Sequence, residues 1–213
     1  MKKSILQLSV LLFLFLYPLA AQAKENEELE SYPFNKRYLM AVMPFEDKTK
    51  EGSYAYLGNQ IADQLINEIF SYGRYRLIER EKLSALLGEL QVQTTDYFKN
   101  ETIDKIGNQL GAELMLVGSI VDISQHTEKR SLGLISKQET YLKLALEARV
   151  VHVSTGEIMV ISKWTGEEKT AKKQALVAVK DDAKSSEDLI AEAIKTAVKE
   201  MAYKIAKDAP FKE

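Results

Sequence analysis

The sequence predicts an α/β protein with a single mixed β-sheet of about five strands, packed against helices and followed by a long C-terminal helix. Three observations predict it. Strand-length apolar runs and helical apolar stripes alternate in the order β-α-β-α-α-β over residues 37–123. A hairpin pattern then covers residues 140–165, and an amphipathic stripe covers residues 186–206. Alternation of this kind favours a sheet that is covered by helices.

The first strand and the first helix have clear signals. The run from Arg37 to Phe45 is apolar almost throughout, which is typical of a strand buried on both faces, and Pro44 with the polar residues after it ends the strand. The next helix is indicated by apolar residues at every fourth position, namely Leu57, Ile61, Leu65 and Ile69. Gly73 ends it.

Four shorter elements follow. The pattern predicts a strand at 75–79, a leucine-striped helix at about 80–91, a short helix at about 102–110 and a strong strand at 113–123. Gly111 lies where the left-handed residue that ends a helix is expected.

The hairpin is the most regular part of the sequence. One face of its first strand is apolar, at Leu142, Leu144, Leu146, Ala148 and Val150, and the other face carries Lys143, Glu147 and Arg149. Ser154 and Thr155 followed by Gly156 suit a short hairpin loop with a left-handed glycine, and the return strand runs from Glu157 to about Thr165.

Two polar segments flank this hairpin. We predict a polar segment at residues 124–139 and an irregular, lysine-rich segment at 167–185, and the sequence leaves open whether they become ordered on assembly. The long C-terminal helix then begins with capping-box spacing at Ser185 and Asp188. Its apolar stripe continues to Ala206, so the helix is long enough to cross a small sheet.

The N-terminus has the pattern of a cleavable signal peptide over residues 1–23. Lys2 and Lys3 precede an apolar stretch from Ile5 to Tyr17, and Ala21-Gln22-Ala23 supplies the small residues of a cleavage site. The stretch is shorter than the ~20 residues of a membrane-spanning helix. We therefore expect export to the periplasm, a flexible leader at 24–36, an α/β domain at 37–208 and a tail at 209–213.

The composition excludes several function classes. The chain has no cysteine, so it has no disulfide, no thiolate nucleophile, no zinc–sulfur site and no acylated N-terminal cysteine. Its net charge of −2 gives no electrostatic signal for nucleic-acid binding. No stretch after residue 23 reaches the length of a membrane-spanning helix.

No motif for catalysis or for binding a metal or cofactor is present, and we predict a non-enzymatic protein. The two histidines, His126 and His152, have no partner pattern for a metal site. Gly118-Ser119 could mark a nucleophile, but it falls inside an apolar strand, where close packing against a helix is the simpler interpretation. Glu79-Arg80-Glu81 could be a carboxylate cluster, but acidic residues are also favoured where a helix begins.

Four stretches together resemble the curli-secretion (CsgG/HfaB) family of the bacterial outer membrane. They are "MAVMPFEDKT"; "YRLIEREKLSALLGELQ", with Glu79 and Arg80; "IGNQLGAELMLVGSI", with Gly111, Ala112, Gly118 and Ser119; and "ARVVHVSTGEI", with Ser154, Thr155, Gly156 and Glu157. The resemblance covers about Tyr38 to Ile161. It implies the family's periplasmic α/β domain, in which these residues are structural motifs.

The resemblance does not by itself decide the function. Relatives in this family form secretion channels, and others activate peptidoglycan synthases. The channel-forming members are lipid-anchored through a cysteine and carry two long membrane hairpins. Here the segment 124–141 is too short and too charged for such a hairpin, and 163–185 contains Glu167-Glu168-Lys169 and Lys172-Lys173.

We therefore expect a non-enzymatic periplasmic protein, peripheral to the outer membrane, that supports assembly or secretion there by self-association and by binding envelope proteins. One alternative is a subunit of a curli-type secretion channel. The other is a protein activator of a peptidoglycan synthase, which would place the partner in the cell-wall machinery.

Overall fold

A computed structural model of the protein describes residues 28–50, 52–97, 99–132, 135–175, 178–180 and 185–213. The predicted signal peptide lies outside the described residues. In the described part of the chain, no helix is both long enough and apolar enough to cross a membrane.

One mixed sheet organises the molecule. Its strands are β1 (Tyr38–Val42), β2 (Glu46–Asp47), β3 (Tyr75–Leu77), β4 (Leu114–Leu132), β5 (Ile135–His152), β6 (Ile158–Ala175) and β7 (Ala178–Lys180). They lie in the order β3-β1-β4-β5-β6-β7, and β2 pairs with β4 beyond the end of β1. The strands β1, β2, β3 and β4 are parallel where they pair, and β4 to β7 form antiparallel pairs. The predicted α/β fold with a mixed sheet is confirmed.

Four α-helices cover this sheet, namely α1 (Leu57–Ser71), α2 (Arg80–Leu90), α3 (Asn100–Leu110) and α4 (Ser186–Lys207). The predicted capping box of α4 is confirmed, because Ser185 Oγ accepts from the Asp188 N–H and the Asp188 carboxylate accepts from the Ser185 N–H, both at 3.1 Å. The left-handed end of α3 is confirmed at Gly111, whose φ is 67°.

Helices lie on both faces of the sheet. On one face α1 and α4 bury a continuous core, which includes the predicted apolar residues of β5, from Leu142 to Val150. On the opposite face α2 and α3 pack over a smaller set of strand residues, among them Ala41, Met115, Val117 and Val151. The second core is narrower because its two helices are 11 residues long, against 15 and 22 for α1 and α4.

Phe45 is held in a notch between two glycines. A Cβ atom at Gly118 would lie 2.4 Å from the Phe45 ring, and one at Gly58 would lie 2.2 Å from the Phe45 carbonyl oxygen. The Phe45 N–H also donates to the Gly58 carbonyl at 3.1 Å. The segment after β1, the first turn of α1 and the first part of β4 therefore meet at the buried Phe45.

The structure corrects the prediction for the two polar segments. Residues 124–132, 135–139 and 167–175 are not irregular, since β4, β5 and β6 continue through them as paired strands. We call residues 124–132, 135–143 and 166–175 the strand extension. Stacking of His126 on Tyr141, with ring centroids 4.8 Å apart, and the contact of Thr127 Oγ1 with Thr140 Oγ1 at 3.2 Å support it. Residues 176–177 and 181–184 lie outside the described residues.

The two ends of the described chain are tied together. The Tyr32 N–H donates to the Gly73 carbonyl at 3.0 Å, and its hydroxyl donates to the Ala209 carbonyl at 2.9 Å. The Lys212 N–H donates to the Lys36 carbonyl at 3.1 Å. The second half of the predicted leader and the predicted tail therefore contact each other and the domain.

Glu113, next to β4, completes this tie. Its carboxylate accepts from the Leu39 N–H at 3.0 Å and from Arg76 at 3.2 Å, and it pairs with the Lys212 ammonium group. Partial burial raises the pKa of Glu113, but the hydrogen bonds from Lys212 and Leu39 and the charges of Lys212 and Arg76 outweigh burial and hold the pKa below its ordinary value.

The glycine notch yields a matched pair of substitutions. Gly58 and Gly88 both lie in helices, so alanine gains the same helix propensity, up to about 1 kcal/mol, at either position. A Cβ atom meets nothing within 4 Å at Gly88, whereas at Gly58 it meets a backbone oxygen. Gly88→Ala should raise the free energy of unfolding, and Gly58→Ala should lower it by about 1–3 kcal/mol. Urea denaturation measures both, and equal effects at the two positions would contradict the notch.

Glu113 should make stability depend on pH. Since its pKa is lower in the folded chain than in the unfolded chain, its contribution is fully present above the unfolded pKa and is lost as pH falls through the folded pKa. We expect Glu113→Gln to destabilise the protein at pH 7 and to differ less from the native chain at acidic pH. Thermal unfolding from neutral to acidic pH tests this, with Glu89→Gln on the exposed side of α2 as the control. A Glu113→Gln deficit that did not change with pH would rule it out.

Candidate functional site

The candidate site is the part of the sheet that α2 and α3 leave uncovered. Cross-strand pairing places Val117, Arg149 and Ile161 in one row. The helices pack over Val117, and the rest of the row extends beyond them. The next row contains Glu147 and Lys163. We define the open face as Lys48, Glu147, Arg149, Ile158, Ile161 and Lys163, which line an open depression of about 260 Å³.

A β-bulge gives this face its apolar character. Simple alternation along β6 would place Ile158 on the same side as Val160, which is buried under α4. The register shifts between Val150 and Val151, so that Val151 pairs with Ile158 and Arg149 pairs with Ile161. Both isoleucines therefore lie on the open face, with 50% and 53% of their surface exposed.

Charged side chains surround the two isoleucines. Lys163 Nζ lies 3.2 Å from a Glu147 carboxylate oxygen, and Lys48 Nζ lies 3.4 Å from Glu46. Lys48 is held at the border of the face by its own N–H, which donates to the Ile120 carbonyl at 2.9 Å. Arg149 lies half-buried beside Ile161. The face thus offers apolar surface with three cations and one carboxylate at its margin, which suits a protein surface that carries apolar and acidic side chains.

The open face reaches the edge of the sheet. In the described part of the chain, β6 pairs on its outer side only with β7, and only at residues 173–175. Residues 158–172 of β6 therefore form an outer edge that no described strand covers. A partner on the open face would contact this edge as well.

The predicted motif residues are not brought together into one site. Arg80 lies at the start of α2, where its guanidinium bonds to Asp63 at 3.0 Å, to Asn59 and to the Val42 carbonyl, and so ties α2 to α1 and β1. Glu79 precedes α2 as its extended N-cap residue. Gly111 and the buried Ala112 connect α3 to β4.

The remaining motif residues have similar structural roles. The predicted hairpin loop is confirmed, because Gly156 has a φ of 71° and its N–H donates to the His152 carbonyl at 2.9 Å. Ser154 contacts His152 Nδ1 at 3.2 Å, and the Thr155 hydroxyl donates to the Glu157 carboxylate at 3.0 Å.

Gly118 and Ser119 lie on opposite faces of β4. The prediction of close packing against a helix is wrong in its neighbour, because the space at Gly118 is filled by the ring of Phe45, which lies between β1 and β2. Ser119 is fully buried and pairs with Glu147 in the register of the sheet. Within the described residues no group of three or more histidine, aspartate or glutamate side chains could hold a metal ion.

The sequence patterns missed the open face. Ile158 and Ile161 were part of a predicted strand, but alternation alone does not reveal a bulge. Arg149 and Lys163 were correctly predicted to lie in strands, but their charged side chains looked like those of any solvent-exposed strand face. The signal that could have found the site is the spacing of three between the two isoleucines, which a strand without a bulge places on opposite faces.

The architecture defines the class of protein as a mixed-sheet α/β domain with helices on both faces and strands that extend beyond them. The sequence profile of the family described as "Curli production assembly/transport component CsgG" matches residues 20–209. The chain belongs to this family. Among curated proteins, none matches the chain.

Several solved structures are similar to this chain at low sequence identity. The LpoB C-terminal domain from Salmonella enterica is 18% identical, with 62% of this chain and 83% of that chain covered and a TM-score of 0.42. Lipoprotein GNA1162 from Neisseria meningitidis is 13% identical, with 78% and 98% covered and a TM-score of 0.43. The PelC dodecamer from Paraburkholderia phytofirmans is 8% identical, with 86% and 92% covered and a TM-score of 0.39.

Proposed function

We propose that this protein is a non-enzymatic periplasmic accessory protein of the CsgG type, which supports assembly or secretion at the bacterial outer membrane by binding an envelope protein through the open face. The observation that supports the proposal is the pair of half-exposed isoleucines, Ile158 and Ile161, beside Arg149 and Lys163 on a face that the helices leave uncovered. Exposed apolar side chains rimmed by charges are typical of protein-binding surfaces.

The side chains of the open face indicate which side chains the partner surface should carry. The partner surface should present apolar side chains to Ile158 and Ile161 and carboxylates to Arg149 and Lys163. A second copy of the chain is one such surface, since Glu167 and Glu168 lie further along the exposed strand β6. Self-association and partner binding are therefore both part of the proposal.

Site-specific photo-crosslinking in cells tests the proposed face. A photo-crosslinking residue at position 161 should capture a defined adduct, whereas the same residue at Lys199, on the exposed side of α4, should not. Ile158→Ser in the chain that carries the crosslinker should weaken the adduct several-fold and leave the unfolding midpoint nearly unchanged, because Ile158 is half exposed. Equal capture at both positions, or none at position 161, would refute the proposal.

One alternative, a subunit of a curli-type secretion channel, is favoured by a specific observation. The strand extension carries one hairpin between β4 and β5 and a second between β6 and β7, in the two segments where the resemblance places membrane hairpins. The side chains of the strand extension argue against insertion, since Glu128, Arg130 and Glu139 would meet lipid or each other in the membrane. A cation in the middle of the membrane costs ~2–4 kcal/mol, and a carboxylate costs somewhat less.

Membrane fractionation separates the two proposals. We expect alkaline carbonate to release the protein from outer-membrane fractions, because a peripheral protein is held by its surface alone. A chain that stays with the membrane after carbonate and urea would instead support the channel subunit.

The other alternative is an activator of a peptidoglycan synthase. It rests on the family alone, whose members serve different functions on one fold. Its test is the rate of glycan polymerisation and crosslinking by purified synthases of the same organism. A rate increase that Ile161→Ser abolishes would identify the synthase as the partner of the open face.

A further inference from the structure

One end of the molecule collects the exposed phenylalanines. Four phenylalanines lie in the described part of the chain, and Phe45 is the buried one. Phe34 is 69% exposed and Phe211 is 53% exposed, in the two terminal segments that contact each other. Phe70, 68% exposed, lies in the last turn of α1, which runs back to the end of the sheet where β3 begins. All three therefore lie at the end where β1, β3 and β4 start.

Cations alternate with these rings. Lys36 Nζ lies 5.6 Å from the centre of the Phe211 ring, and the Arg76 guanidinium lies 5.5 Å from that of Phe34. Arg74 lies 4.6 Å from the Tyr32 ring. We call this surface the aromatic end and define it by Tyr32, Phe34, Lys36, Arg74, Arg76, Phe211 and Lys212.

Part of the positive charge at the aromatic end stays available. Arg76 and Lys212 are balanced by Glu113. Arg74 donates instead to uncharged groups, namely the Glu30, Ala206 and Lys207 carbonyls and the Tyr32 hydroxyl. Lys36 contacts a ring. An anionic surface could therefore meet Arg74 and Lys36 without displacing a carboxylate from them.

The composition of this surface points to a membrane rather than to a protein. Aromatic side chains mixed with lysine and arginine are typical of the membrane–water interface, where rings enter the headgroup region and cations contact phosphates. The centres of protein–protein interfaces are also rich in aromatic residues and arginine, but they are depleted of lysine. Here Lys36 and Lys212 lie among the rings.

We propose that the aromatic end docks on a lipid bilayer with anionic headgroups. Phe34 and Phe211 enter the headgroup region, and Lys36 and Arg74 contact lipid phosphates. The proposal concerns a different surface from the open face and does not depend on a partner there.

Vesicle flotation tests this proposal. The chain from residue 24 retains every residue that the structure describes, and it should float with phosphatidylcholine vesicles that contain about one third phosphatidylglycerol. It should bind pure phosphatidylcholine much more weakly, and high salt should reduce the binding to anionic vesicles. A chain that binds neither kind of vesicle, or both equally, overturns the proposal.

Substitutions locate the binding. The double variant Phe34→Ser with Phe211→Ser should lower partitioning about tenfold or more, the loss expected when about 1.4 kcal/mol or more of contact is removed. Lys36→Glu should weaken binding to anionic vesicles several-fold and leave binding to neutral vesicles unchanged. Tyr56→Ser is the matched control, since Tyr56 is 63% exposed at the opposite end of α1.

Two further results would decide against the aromatic end. If Tyr56→Ser reduced flotation as much as the double variant, the binding would not be local to this end. If the double variant changed the unfolding midpoint, Lys36→Glu would replace it as the test, and unchanged flotation of Lys36→Glu on anionic vesicles would overturn the proposal. Capture of an envelope protein at position 34 without any vesicle binding would also overturn it.

Discussion

The fold depends on the place where Phe45 enters the notch between Gly58 and Gly118. Phe45 needs both glycines, because a Cβ atom at Gly118 would overlap its ring and one at Gly58 would overlap its backbone carbonyl oxygen. This contact fixes the height of α1 over the sheet and the point at which the chain leaves β1 for β2. The pairing of β2 with Ser119 and Ile120 follows, and with it the position of Lys48 beside the open face. One close approach in the core thus positions one margin of the candidate site.

The elements that the sequence predicts well are those with a buried face. The stripe of α1, the alternation of β5 and the capping box of α4 each report a core that selects apolar residues at a fixed spacing. The strand extension has no such core, so its polar segments 124–139 and 167–175 carry no periodic apolar spacing. The open face was hidden for another reason: a bulge at Val150 reverses which side chains of β6 are exposed, and bulges leave little trace in a single sequence.

The exposed surfaces of this chain say more about its function than its family does. One α/β fold can host a channel subunit, an enzyme activator or an assembly factor, so the fold alone does not decide between them. The position of its exposed apolar side chains gives more information about its function. The motif residues Arg80, Gly111 and Gly156 are all occupied in holding the domain together. The apolar exposure lies elsewhere, on β6 and at the aromatic end.

The two membrane placements open to this domain exclude each other. β4 starts at the aromatic end and runs for 19 residues to the tip of the strand extension, which is about 65 Å at the rise of an extended strand. A channel subunit would place the tip in the membrane, whereas docking through Phe34 and Phe211 would place the tip far from it. The charges decide between these orientations, because the tip carries Glu128 and Arg130 on one face without an apolar band, and the aromatic end carries rings among its cations. In an orientation with the extension pointing away from the lipid, the open face lies on the membrane-proximal part of the sheet, because its rows pair with Met115 to Ser119 near the start of β4.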